Sequence, residues 1–114
     1  MMYKLTDLAD VIRSKNSGPY ELTFDILFKT EKIYRRVVES GAINKEMFAA
    51  LFRIPESDIM EIIHFDPAKA IKVTIVRPVP SGSLRESDVY GAQQHAPLMG
   101  CSLDLKDDLL GGKI

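Results

Sequence analysis

Cysteine, histidine and any surplus of charge are what this chain has least of. A single cysteine, Cys101, cannot close an intramolecular disulfide, which excludes a disulfide-stapled scaffold and suits a reducing compartment. Two histidines and that one cysteine are too thin a supply for an all-protein zinc site, so no metal is expected. Fifteen Lys and Arg against sixteen Asp and Glu leave a formal charge of -1. With no basic excess to neutralise a run of phosphates, nucleic-acid binding is not expected. No apolar run approaches the ~18 residues that span a bilayer, and 1–10 lack the apolar core of a signal peptide. No membrane association and a cytoplasmic location are the expectation. The Walker loop, the dinucleotide-binding glycine fingerprint, paired cysteines and the His-Glu-x-x-His helix are all missing, so no cofactor is identified.

What is present is an ordinary globular composition: 114 residues, 46% hydrophobic and 27% charged. That length holds one core. Leu5, Leu8, Ala9 and Ile12 recur at helical spacing, with Thr6 as a cap, and Asn16, Gly18 and Pro19 then read as a stop. From Tyr20 the period becomes two. Tyr20, Leu22, Phe24, Ile26 and Phe28 form one face of a strand, and Glu21, Thr23 and Asp25 the other. Thr30 caps a helix carrying Ile33, Tyr34, Val37 and Val38, which Gly41 ends. Asn44 opens a second helix with Met47, Phe48, Leu51 and Phe52 on one side, bounded by Pro55. Ile59 to Phe65 and Ala70 to Arg77 read as a hairpin around Asp66-Pro67-Ala68-Lys69. Adjacent Ile62 and Ile63 leave the register of its first strand open.

This order predicts an α+β fold, a small antiparallel or mixed sheet with helices on one face, in a ferredoxin-like arrangement. After Arg77 the periodicity stops. A single domain over 1–98 would then include a long irregular arm over 78–98. A tail over 99–114 would fray, unless Leu103, Leu105, Leu109 and Leu110 dock a short helix. Irregular stretches of this length tend to be functional, partner-bound or disordered.

Two segments concentrate chemistry-bearing side chains. In Arg13-Ser14-Lys15-Asn16-Ser17-Gly18-Pro19, backbone N–H groups of a turn would form a nest for a small anion, with Arg13 or Lys15 adding charge. The competing reading is a helix stop with cations placed where its dipole wants them. The second segment runs from Asp88 to Pro97. His95 is there a candidate acid/base, with Tyr90, Gln93 and Gln94 as hydrogen-bonding ligand contacts. Its competing reading is an extended arm anchored through Tyr90 and His95. His64, in a strand with Met60 and Ile62 on its face, reads as a half-buried structural histidine. Cys101 has no flanking cation to activate it. Glu21, Thr23 and Asp25 share a sheet face with Lys72 and Thr74, a polar patch suited to solvent or to a partner.

Four stretches carry a family likeness: Ala9 to Thr23, Phe65-Asp66-Pro67-Ala68, Arg77 to Ser83, and Asp88 to Pro97. Through them the chain resembles a family of small proteins of unknown function that accompany AtuA-like acyclic terpene utilisation proteins, or are fused to them. The resemblance implies association with a larger AtuA-like partner linked to catabolism of branched organic acids or their CoA esters. It supplies no catalytic residues. The expected function is therefore a small subunit or site-completing partner of such an enzyme, in an oligomeric assembly. The alternatives are a self-sufficient lyase or isomerase using His95, and a ligand-binding regulatory domain.

Overall fold

The computed structural model describes residues 2–18, 20–76 and 96–105. In chain order these form β1 (Met2–Lys4), α1 (Leu5–Leu8), β2 (Ala9–Gly18), β3 (Glu21–Phe28), α2 (Glu31–Ser40), α3 (Lys45–Phe52), β4 (Ile59–Phe65), β5 (Ala70–Val76), α4 (Ala96–Met99) and β6 (Ser102–Asp104). The expected α+β class is what is found, with helices and two antiparallel sheets. The larger sheet runs β2-β3-β5-β4, and every pairing in it is antiparallel.

That order contains the core of the ferredoxin-like arrangement and departs from it at one edge. β3, the α2-α3 pair and β4 make a split β-α-β unit: β3 and β4 run parallel, with β5 antiparallel between them. The departure is β2, which joins the outer edge of β3 as a hairpin partner instead of a strand delivered by a second helical crossover. The reason is local. The expected helix from Leu5 to Ile12 stops after Leu8, and residues 9–18 continue as a strand beside β3. Ser14, Asn16, Ser17 and Gly18 are weak helix formers, while pairing satisfies the β3 edge and sets Ile12 opposite Ile26.

The helices α2 and α3 begin and end as their caps dictate. Thr30 Oγ1 accepts from the Ile33 N–H at 3.1 Å, Asn44 Oδ1 accepts from the Met47 N–H at 2.8 Å, and Gly41 closes α2 at φ 66°. Both lie on one face of the sheet. Phe24 meets Phe48 and Phe52 at ring-centroid distances of 5.5 and 4.8 Å, and Phe28 meets Tyr34. The sheet residues of the core, Ala9, Leu22, Phe24, Ile26, Phe28, Ile59, Ile71, Val73 and Ile75, all come from that face. Tyr20 is not among them. It stands outside β3 and is exposed, so the strand contributes four large apolar side chains to the core rather than five.

The smaller sheet joins the N-terminal strand to residues placed by sequence in the tail. β1 pairs with β6, Tyr3 opposite Leu103, and the Leu5 N–H donates to the Cys101 carbonyl at 2.9 Å. Leu98, Leu103 and Leu105 join the same core, from α4, from β6 and from the residue after β6, so Leu103 and Leu105 are not helical; Leu109 and Leu110 lie outside the described residues. Residues 96–98, assigned by sequence to the irregular arm, are helical.

Candidate functional site

The face of the large sheet turned away from the helices is built by strict alternation. Opposite Phe24 and Ile26 on the covered side lie Thr23, Asp25 and Leu27 on the open one. Register then sets three rows across the strands. Val11, Leu27, Ala70 and Phe65 form an apolar row; Arg13, Asp25, Lys72 and Ile63 a mixed one; Lys15, Thr23, Thr74 and Glu61 a polar one. The shared polar face expected from Thr23, Asp25, Lys72 and Thr74 is present. The ambiguity at Ile62 and Ile63 is resolved by a register shift between Ile59 and Glu61: Ile62 falls on the covered face, Ile63 on the open one.

Asp25 is the centre of the mixed row. Its side chain is 4% exposed, its Oδ2 accepts from Arg13 Nε at 3.1 Å, and Lys72 Nζ stands 3.8 Å from its Oδ1. Oδ1 has no hydrogen-bond partner. A buried carboxylate is tolerable only with such neighbours, because its desolvation is otherwise too costly. In the next row the Thr23 hydroxyl donates to Ser17 Oγ at 3.0 Å and lies 3.2 Å from Thr74 Oγ1. A hydroxyl has one proton, so with Thr23 donating to Ser17, Thr74 donates to Thr23.

Of the segment 13–19 read as a turn, residues 13–18 lie in β2, and Pro19 lies outside the described residues. Backbone N–H groups of a strand alternate in direction, and in the edge strand β2 only every second one points to β3, so they do not converge on one point. Arg13, Lys15 and Ser17 reach the open face, whereas Asn16 is half-buried opposite Leu22 on the other. Gly18 lies opposite Glu21, and an added Cβ would meet that side chain only at 4.0 Å, so no close approach requires glycine there. Tyr90, Gln93, Gln94 and His95 lie outside the described residues. His64 is exposed opposite Ile71 on the β4 edge, not half-buried.

Sequence reading missed a further contact. The Tyr34 hydroxyl donates to Asp66 Oδ1, tying α2 to the β4-β5 turn. Burial first, then that hydrogen bond, pushes the Tyr34 phenol up to about 12. The signal was the Asp-Pro turn together with a tyrosine on a buried helical stripe. Burial also pushes the Cys101 thiol up, away from nucleophilic use. Among the described residues no group of three or more His, Cys, Asp or Glu is placed to hold a metal, and no helix is long and apolar enough to cross a membrane.

A family model described as "Domain of unknown function (DUF4387)" matches residues 5–102. The chain belongs to the DUF4387 family. The match runs from α1 to the first residue of β6, so the DUF4387 unit takes in both helices, the whole large sheet and the α4 segment. No curated protein and no solved structure matches the chain.

Proposed function

We propose that this DUF4387 protein is a small subunit or site-completing partner of an AtuA-like catabolic enzyme acting on branched organic acids or their CoA esters. One observation carries the reading. The sheet face that takes no part in the core displays large apolar side chains, Val11, Ile63 and Phe65, with Met60 on the same edge strand, around a row of charge. Small monomeric domains keep clustered apolar surface of this kind for binding. The edge strand beside it has neither lysine nor proline to deter pairing. The likeness of Ala9 to Thr23 and of Phe65 to Ala68 to AtuA-associated proteins supplies the partner.

Co-expression with an AtuA-like protein tests this directly. A complex that survives gel filtration at micromolar concentration is expected. Separate elution, or turnover of a branched acyl substrate by the isolated chain, overturns the subunit reading.

A further inference from the structure

We infer that the open sheet face is the docking surface, and that it receives a protein surface presenting a carboxylate set among apolar side chains. This rests on the subunit reading and adds where and by what chemistry the partner is held.

Charge gives the first argument. Asp25 spends its charge inside the row, whereas the Arg13 and Lys72 side chains are 61% and 44% exposed. Lys15 lies two residues from Arg13 on the same face. Glu61 ends Lys15's row on the opposite edge strand, three strand spacings of about 4.8 Å away and beyond the ~8 Å screening length of physiological salt. Glu21 lies on β3 in the row next to that of Lys15, diagonal to it at about 7–8 Å, and offsets part of its charge. Arg13 nevertheless keeps its Nη groups free of Asp25, which takes only Nε, and is 61% exposed. A partner carboxylate fits there.

Shape gives the second. The apolar row Val11, Leu27, Ala70 and Phe65, with Ile63 beside it, borders the charged row. Four strands and six residues of length make an area of about 14 by 17 Å between Cα positions. Flat sheet has no walls to enclose a small molecule. With its rim it offers on the order of 500 Å², most of the ~800 Å² each partner buries in a standard interface, and the β4 edge, unpaired among the described residues, extends it. A second copy is the poorer occupant. Because Asp25 is buried, its equivalent face would bring largely the same exposed cations.

The test uses the complex with the AtuA-like protein and titrates affinity for four forms of the chain. Phe65→Ser and Lys15→Glu should each weaken binding tenfold or more, and wild-type affinity should fall as sodium chloride is raised. Lys32→Glu, an exposed change on α2, should bind as wild type does. Wild-type binding with unchanged affinity for the Phe65 and Lys15 variants overturns the docking surface but leaves the subunit reading standing. Equal weakening by Lys32→Glu also overturns it. Failure of the wild-type chain to bind removes both. An isolated chain that elutes as a dimer, and loses dimerisation with Phe65→Ser, assigns the face to a second copy instead and overturns the proposal.

Discussion

The two faces of the four-stranded sheet share the same strands and differ in almost everything else. One buries Phe24, Ile26, Phe28, Val73 and Ile71 against α2 and α3. The other sets Arg13, Asp25 and Lys72 in a row and leaves Ile63 and Phe65 in contact with solvent. Alternation makes this possible: a strand commits every second residue to stability and leaves the rest free for other demands. The covered face should therefore govern folding, and the open face should govern association.

The comparison is broken most forcefully at Phe24. It is fully buried between Phe48 and Phe52, so Phe24→Ala should cost about 3–5 kcal/mol in denaturant unfolding, enough to unfold a marginal domain. A loss under 1 kcal/mol would mean that the helix layer does not hold the sheet. Arg13→Ala removes a charge-assisted bond to a buried carboxylate from an exposed side chain. About 1–2 kcal/mol should be lost, less at high salt, since solvent screens the pair.

Tyr34→Phe sharpens the same contrast within the covered layer. Removing the hydroxyl should cost about 1 kcal/mol at neutral pH, because the exposed Asp66 can turn to water instead. The pH dependence has a definite sign. The folded phenol keeps its proton to about 12 while the unfolded one releases it at the ordinary 10.0, so the unfolded state binds fewer protons between those values. Its contribution is whole below pH 10 and is lost as pH rises towards 12. Unfolding curves of wild type and Tyr34→Phe should converge over that window, and phenolate absorbance reports the titration. Smallest of all is Phe65→Ser. At 48% exposure it should move stability by no more than about 0.5 kcal/mol, although it is expected to impair docking.

Much of the covered face was legible from sequence because its signals are strong and local. Thr30, Gly41 and Asn44 mark helix ends by cap chemistry, and Leu22 to Ile26 alternate without a break. β2 was not legible. Its core side holds Ala9, Ile12, Ser14 and Asn16, too few apolar residues to announce a period of two, and Leu5, Leu8, Ala9 and Ile12 mimic a helical stripe. The identity of β2 comes from pairing with β3, a tertiary fact. The same error hid the charged row, since Arg13 joins Asp25 and Lys72 only when 9–18 is a strand. The polar side of β3 and β5 was readable; its completion by Arg13 was not. Asp66 looked like a turn residue alone, because its partner Tyr34 lies 32 residues away.

Oxidative footprinting of the assembled complex tests the central claim most directly, because the chain carries its own control. Met60, on the β4 edge, and Met99, at the end of α4, are 45% and 48% exposed, so they should oxidise at similar rates in the free protein. If the open face and its edge dock the partner, Met60 and Phe65 become protected on assembly while Met99 keeps its reactivity. If Met60 and Phe65 react as before, or Met99 alone is protected, the partner lies elsewhere and the division of labour between the two faces fails.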